Sequence, residues 1–163
     1  MWATVFHTGF SLSKGRRVKI VILKLILIGG LATSAFAAAE APVVDVYKSP
    51  TCGCCGKWVD HLRANGFTVR SHDTDDVAQH KYRLGVPYGY GSCHTAEVNG
   101  YLVEGHVPAK DIKRLLKEKP KARGLVVPAM PMGSPGMEQG GRQDHYGVLL
   151  VKQDGGIQTY TRY

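Results

Sequence analysis

The sequence predicts an α/β fold, and three local patterns indicate it. An apolar run of strand length, Val43–Tyr47, precedes a segment in which Trp58, Val59 and Leu62 fall on one face of a helix. Further along the chain, Asn99-Gly100 separates two short β-prone runs, which is typical of a tight hairpin. Helices and strands that alternate in this way favour a layered α/β domain.

The first half of the domain is predicted to be a βαβ unit with cysteines in its first connection. The strand Val43–Tyr47 leads into a turn-rich segment, Ser49–Gly56, which contains Cys-Gly-Cys-Cys. A helix over Lys57–Asn65 follows, Gly66 ends it as a C-cap, and Phe67–Ser71 is the second strand. The cysteines are therefore expected at the N-terminus of a helix.

The second half is predicted to contain a helix, a hairpin and another helix, joined to the first by a loop rich in Gly and Tyr. The ranges are Asp75–Leu84 for the helix, Gly85–Gly91 for the loop, Thr95–Val98 and Tyr101–Glu104 for the hairpin, and Pro108–Pro120 for the last helix. This order of elements resembles the second half of a glutaredoxin-type fold. We therefore predict a modified thioredoxin-like fold.

The C-terminal part is predicted to add a loop and a strand pair to this core. The loop, Val127–Gly141, is rich in Met, Pro and Gly, and the strands Tyr146–Lys152 and Ile157–Tyr160 flank Asp154-Gly155.

Residues 1–37 are predicted to be a secretory signal peptide. They carry five basic residues and no acidic one, and they end in an apolar stretch, Leu25–Ala32, followed by Ala35-Phe36-Ala37. A helix needs roughly 20 apolar residues to cross a bilayer, and this stretch is far shorter. We expect cleavage near Ala37, a single periplasmic domain over residues 38–163, and no membrane span in that mature chain.

Charge and motif content exclude several classes of function. The whole chain has a formal net charge of +8, but residues 38–163 carry 16 basic and 13 acidic side chains, a charge of +3. The basic residues are interspersed with acidic ones, which argues against a nucleic-acid partner. The sequence has no catalytic triad, no pair of carboxylates at an interpretable spacing and no phosphate-binding glycine loop, so hydrolase and nucleotide-dependent functions have no support.

The four cysteines are the strongest indication of chemistry. Cys52, Cys54 and Cys55 place three thiols within four residues, and a thioredoxin-like topology would bring Cys93 beside them. Thiolates bind soft metal ions such as Cu(I), and several thiolates together can share ions that one or two could not hold. The helix N-terminus lowers thiol pKa values and favours the thiolate form. We predict a multinuclear Cu(I) site at these four residues.

Two other uses of the cysteines stay open at this point. An exported chain with an even number of cysteines often forms structural disulfides. Cys52 and Cys55 also have the Cys-x-x-Cys spacing of a thiol–disulfide oxidoreductase, in which Cys52 would attack and Cys55 would resolve. The additional thiol of Cys54 argues against such a two-cysteine exchange.

Thioether and imidazole groups supply further candidate ligands. Met130, Met132 and Met137 lie together in the C-terminal loop, and thioether sulfur selects Cu(I) over zinc. His94 and His106 are expected to face the cluster. A third candidate, His145, lies near the methionine loop. Solvated surface positions are expected for the other three histidines after residue 38: His61, His72 and His80.

Three separated motifs give the chain a specific resemblance to a known family. They are the segments Tyr47–Trp58, Ser92–Ala96 with Glu104–Pro108, and Val127–Glu138. The sequence resembles the periplasmic copper-resistance CopG-like family, which was first described as a domain of unknown function with a Cys-x-Cys-Cys motif. Ala129 departs from this pattern, because a glycine is expected before the methionine.

The resemblance implies fold, location and cargo. It implies a modified thioredoxin-like domain, export, and copper bound by Cys52, Cys54, Cys55 and Cys93. It also implies copper handling beside efflux systems or other periplasmic copper proteins, either by sequestration or by interconversion of Cu(I) and Cu(II). Interconversion would make the protein a copper oxidoreductase, whereas a thiol–disulfide oxidoreductase and a passive copper chaperone are the alternative hypotheses.

Overall fold

The computed structural model describes residues 41–163, which form three helices and seven strands. The predicted signal peptide, residues 1–37, lies outside the described residues. The elements in chain order are β1 (Val43–Lys48), α1 (Gly53–Ala64), β2 (Thr68–Asp73), α2 (Val77–Leu84), β3 (Thr95–Val98), β4 (Tyr101–Glu104), α3 (Ala109–Glu118), β5 (Ala122–Val126), β6 (Gly147–Lys152) and β7 (Ile157–Arg162). None of the helices in residues 41–163 is long and apolar enough to span a membrane.

A seven-stranded sheet in the order β2-β1-β3-β4-β5-β6-β7 organises the domain. Strands β1 and β2 are parallel, and β3 and β4 continue the sheet as antiparallel strands. With α1 between β1 and β2 and α2 between β2 and β3, the first four strands have the thioredoxin-like arrangement. This confirms the predicted α/β class, and the antiparallel pair β6–β7 confirms the predicted C-terminal strands.

Strand β5 is not predicted by the sequence pattern. Its five residues have a glycine at the centre and no alternation of apolar and polar side chains. The strand forms through its neighbours, because Gly124 pairs with Leu102 of β4 in a parallel register. A Cβ atom on Gly124 would lie 1.8 Å from the Leu102 carbonyl oxygen, so the absence of a side chain permits this close approach.

Helix α1 begins at Gly53, one turn earlier than the predicted start at Lys57. The reason is that Cys55 behaves as an apolar residue and is fully buried. It extends the buried face of Trp58, Val59 and Leu62 by one turn, at the spacing of a helix. The helix ends next to the predicted position: Ala64 is its last residue and Asn65 is the C-cap. Gly66, predicted as the C-cap, directly follows it in the left-handed conformation, with φ of 84°.

The two faces of the sheet are covered differently. Helices α1 and α3 pack on one face, where Trp58, Leu62, Ile112 and Leu115 join strand residues in the main core. A smaller apolar cluster contains Leu102, Val126 and Val151, and residues from the end of α2 and the following loop pack against it. The loops at the carboxyl end of β1 are left to form the site.

The C-terminal strand is fastened to the core through Asp111 on α3. This carboxylate is nearly fully buried and accepts hydrogen bonds from Thr161 Oγ1 at 2.7 Å and from the Tyr163 hydroxyl at 2.5 Å. Because Thr161 lies in β7 and Tyr163 directly follows that strand, the bonds hold β7 against α3 and stabilise the added hairpin on the thioredoxin-like core.

The structure corrects the expectation that His61 is a solvated side chain. His61 lies near the end of α1, is partly buried, and its Nε2 accepts the Ala109 backbone N–H at 3.1 Å. It thus satisfies one of the free N–H groups at the start of α3. Burial lowers the pKa of His61, which favours the neutral, accepting form.

We expect protonation of His61 to destabilise the fold. The pKa of His61 is lower in the folded protein than its value of 6.5 in the unfolded chain, so its protonation favours the unfolded state. The free energy of unfolding should therefore not depend on this group above pH 6.5, and it should fall as the pH drops from 6.5 through the lower pKa of the folded protein. His61→Ala should cost about 1 kcal/mol at pH 8, as for a lost helix cap. Urea unfolding of metal-free protein between pH 8 and pH 5 checks both points.

His61→Gln is the matched variant, because glutamine keeps an acceptor and does not titrate. It should show a flatter dependence of the free energy of unfolding on pH than the parent protein. His94 and His106 also have lowered pKa values and remain in both proteins, so only the difference between the two curves reports on His61. An identical pH dependence would contradict the prediction.

Candidate metal centre

The first three cysteines are positioned by the start of α1. Cys52 is the N-cap residue, and its backbone N–H donates to the Ser49 carbonyl at 3.1 Å. Cys54 and Cys55 lie in the first helical turn, where backbone N–H groups have no partner within the helix. Because no acidic side chain lies in this turn, the positive end of the helix dipole is available to the sulfur atoms.

Cys93 reaches the same place through the pairing of β3 with β1. Thr95 lies opposite Tyr47 at the end of β1, so Cys93, two residues before Thr95, is beside the chain that leads into Cys52. The Cys93 sulfur is 3.9 Å from that of Cys54, which is 3.5 Å from that of Cys52. The four cysteine sulfurs all lie within 4.8 Å of one another.

Cys52 and Cys55 form a disulfide in this structure, whereas Cys54 and Cys93 are free. Four cysteines could form two structural disulfides, but Cys52–Cys55 is the only one present among residues 41–163. Binding of a metal ion by all four sulfurs requires reduction of that bond by two electrons and two protons, which returns two thiols.

Two buried histidines adjoin Cys93. His94 Nδ1 is 3.3 Å and His106 Nε2 is 3.2 Å from the Cys93 sulfur, and these three ligand atoms form a second possible metal-binding group. The other ring nitrogen of His106, Nδ1, lies 2.8 Å from the Pro135 carbonyl oxygen. A carbonyl can only accept, so Nδ1 carries the proton and Nε2 presents a lone pair to Cys93.

Burial favours the neutral forms of Cys93, His94 and His106. Burial, followed by the neighbouring Cys54 thiol, raises the pKa of Cys93 to about 11. Burial also lowers the pKa of His94 and of His106. Neutral imidazole is the form that binds metals, so the two histidines are ready to act as ligands, whereas Cys93 must first lose a proton.

The methionine loop is held against the cysteine site at several points. The Ala129 N–H donates to the Gly91 carbonyl at 3.0 Å, and the Ala129 carbonyl accepts the Ser92 hydroxyl. At the other end of the loop, Gly136 lies against α1, because a Cβ on it would be 2.8 Å from the Cys54 carbonyl oxygen. The loop is thus fixed beside Cys54 and Cys93.

The three methionines of this loop differ in exposure. Met130 is 48% exposed, whereas Met132 and Met137 are partly buried. Ala129 has φ of 59°, a left-handed conformation that glycine adopts at lower cost, which explains why a glycine is expected there. The hydrogen bond from its N–H to the Gly91 carbonyl and the one from the Ser92 hydroxyl to its carbonyl hold alanine in this conformation.

The remaining histidines lie apart from both groups of ligands. His145 is exposed, and its Nδ1 is 3.4 Å from the Tyr163 carbonyl oxygen. His72 is also exposed and contacts Asp45 at 2.8 Å. His80 differs from the solvated position expected for it, because it is partly buried and stacks on Tyr47 with 3.9 Å between the ring centroids.

A buried carboxylate beside the site, Glu104, is not predicted by the sequence pattern. Glu104 is fully buried at the end of β4, where it pairs with Lys81 of α2 and accepts the Ser92 N–H at 2.6 Å. A charged residue that ends an apolar strand is ordinarily solvated. Its burial follows from contacts with segments 12 and 23 residues away along the chain, which no local pattern contains.

Comparisons with known proteins agree with this site. The family described as "Protein of unknown function, DUF411" matches residues 90–137, a segment that contains Cys93, His106 and the three methionines of the C-terminal loop. A comparison with curated proteins yields no match. Two solved structures, Copper resistance protein CopG in its Form 2 and in its Form 1, are each 48% identical to this chain and have TM-scores of 0.73 and 0.72. Each match covers 76% of this chain, and the two cover 99% and 98% of the respective CopG chains. The chain therefore belongs to the family of the copper resistance protein CopG.

Proposed function

We propose that the protein binds copper in the periplasm and contributes to copper resistance through a multinuclear Cu(I) cluster held by Cys52, Cys54, Cys55 and Cys93. The observation that carries this proposal is the convergence of four cysteine sulfurs within 4.8 Å of one another. Among the common biological metals, a group of this size composed only of sulfur fits the soft ion Cu(I) well.

Charge balance favours more than one copper ion. Four thiolates carry four negative charges, and a single monovalent ion would leave most of them uncompensated. Cys55 is fully buried, and the other three cysteines are partly buried, so such charge would be costly. Several Cu(I) ions that share bridging thiolates remove this cost.

Neutral ligands complete the proposed site. His106 Nε2 and His94 Nδ1 flank Cys93, and the methionine loop supplies Met130, Met132 and Met137. Ligands without charge bind Cu(I) without adding to the negative charge of the thiolates.

The cysteine pair also provides electrons for interconversion of Cu(I) and Cu(II). In the reduced protein, the thiolates of Cys52 and Cys55 can each pass one electron to a Cu(II) ion, which yields two Cu(I) ions and the disulfide seen in the structure. Sequestration needs only the reduced cluster, whereas interconversion uses both states. Copper efflux proteins or other periplasmic copper proteins would then receive the product.

A thiol–disulfide oxidoreductase is the second candidate, and the Cys52–Cys55 disulfide favours it. Cys52 is partly exposed at the helix N-terminus and Cys55 is buried, as expected for an attacking and a resolving thiol. Reduction of insulin by the dithiol form tests this function directly. A passive copper chaperone would show copper binding without either redox activity.

Anaerobic titration of the reduced protein with Cu(I), against a competing chelator, tests the proposal. Native mass spectrometry should then count more than one tightly held copper per chain. His61→Ala, a change outside the ligand set, should leave the copper content unchanged. One weakly held copper at most, together with rapid insulin reduction, would overturn the copper cluster in favour of the oxidoreductase.

A further inference from the structure

The two residues that flank Cys93 are both held by one ion pair. On the N-terminal side, Glu104 Oε1 accepts the Ser92 N–H at 2.6 Å. On the C-terminal side, Lys81 Nζ donates to the His94 carbonyl at 3.2 Å. Lys81 and Glu104 contact each other, so the backbone on both sides of Cys93 is tied to a single unit.

The pair is placed where it can fix the direction of the Cys93 side chain. Glu104 is fully buried and Lys81 is mostly buried, with 20% of its side chain exposed. The backbone so held aims the Cys93 sulfur at Cys54, 3.9 Å away, and at His106 Nε2, 3.2 Å away. The N–H of Gly105, the residue after β4, also donates to the His94 carbonyl at 3.2 Å, so Glu104 and Gly105 both hold the backbone around Cys93.

Stability alone does not account for a buried ion pair at this position. Removing two charges from water has a cost that their attraction only partly offsets, and apolar residues of similar size often serve equally well. Polar groups beyond the ligands themselves commonly orient ligand side chains at metal sites. The hydrogen bonds to Ser92 and His94 give this pair such a role here.

We infer that Lys81 and Glu104 are positioning residues that hold Cys93 at the distance from Cys54 needed for the two sulfurs to act together. The hydrogen bonds of both residues go to each other and to the backbone of Ser92 and His94, not to a cysteine sulfur. As far as copper is concerned, this inference rests on the proposed function, but the positioning itself is a property of the metal-free protein and can be measured there.

The variant Lys81→Met/Glu104→Gln removes both charges together. A single neutral substitution would leave one buried charge without a partner, which destabilises proteins strongly. The matched control is Arg83→Met/Glu97→Gln, which removes an exposed ion pair, 3.2 Å apart, between the same helix and β3. Lys81→Arg keeps the charge and should behave as the parent protein.

The first readout uses no copper. In the form with the Cys52–Cys55 disulfide, the only free thiols of residues 41–163 are Cys54 and Cys93. Diamide oxidises these two thiols to a disulfide and is itself reduced to the hydrazine, taking up both hydrogens. Peptide mass spectrometry follows the rate at which the Cys54–Cys93 disulfide forms. This rate should fall about tenfold or more in Lys81→Met/Glu104→Gln, because the two sulfurs are no longer held close together. The control variant should couple at the rate of the parent.

The second readout is the Cu(I) dissociation constant from chelator competition. It should rise about 10- to 100-fold in the double variant, as for loss of groups that orient ligands. If the parent protein binds no Cu(I) while coupling is still slowed, the proposed function fails and the positioning role stands. Coupling within about twofold of the parent, or equal slowing in the control, would overturn the inference whatever the copper affinity. Should Lys81→Met/Glu104→Gln not fold, Lys81→Met/Glu104→Met, in which apolar residues replace the whole pair, gives the same comparison against Lys81→Arg, with slower coupling expected only for the double variant.

Discussion

Cys54→Ser is expected to reduce the copper content of the fully reduced protein to one weakly held ion at most. The Cys54 sulfur lies between the others, 3.5 Å from that of Cys52 and 3.9 Å from that of Cys93. Its loss removes the atom that connects Cys93 to the cysteines of α1. A serine hydroxyl is a hard ligand with little affinity for Cu(I), so it does not restore the bridge.

Cys54 distinguishes the copper cluster from the oxidoreductase better than Cys52 or Cys55 does. It takes no part in the Cys52–Cys55 disulfide, so the variant keeps the redox pair and the fold that goes with it. Insulin reduction should therefore survive in Cys54→Ser if the protein has that activity. Native mass spectrometry compares the copper content of Cys54→Ser with that of the control variant His61→Ala. Full copper loading of Cys54→Ser would rule out a cluster shared by the four cysteines.

The parts of the structure that follow from short stretches of chain are the ones the sequence predicts well. Asn99 and Gly100 have φ of 47° and 80°, the conformation that a two-residue hairpin needs, and both hairpin strands have their predicted bounds. The gathering of Cys93 with the cysteines of α1 is predictable for a related reason. Once the order of elements indicates a thioredoxin-like fold, the topology places the start of β3 beside that loop.

Features that depend on residues far apart along the chain are not predicted by local sequence patterns. Glu104 is buried because Lys81 and Ser92 come to it from other segments, and nothing next to it in the chain indicates this. His61 has the surroundings of a surface helix position, yet it accepts an N–H from Ala109, 48 residues away. The start of α1 is missed for a simpler reason, since Cys55 serves as a core residue as well as a candidate ligand.

Gly124→Val is expected to have the largest effect on the fold. Gly124 lies in β5, which joins β4 of the thioredoxin-like core to the added strands β6 and β7. The first atom of any side chain there would meet the Leu102 carbonyl oxygen at 1.8 Å and its nitrogen at 2.7 Å. These are backbone atoms of a paired strand, so the clash cannot be relieved by a rotamer change, and β4 and β5 must separate.

The free energy of unfolding should fall by about 4 kcal/mol or more, the range reached when a substitution disrupts a core directly. Gly56→Ala is the matched control, because Gly56 lies within α1 and a Cβ there would meet nothing within 4 Å. That change should raise the stability by about 0.5–1 kcal/mol, as alanine restricts the unfolded chain and favours the helix. Urea unfolding of both variants gives the comparison. A Gly124→Val midpoint near that of the parent would show that the pairing of β4 with β5 does not depend on this close contact.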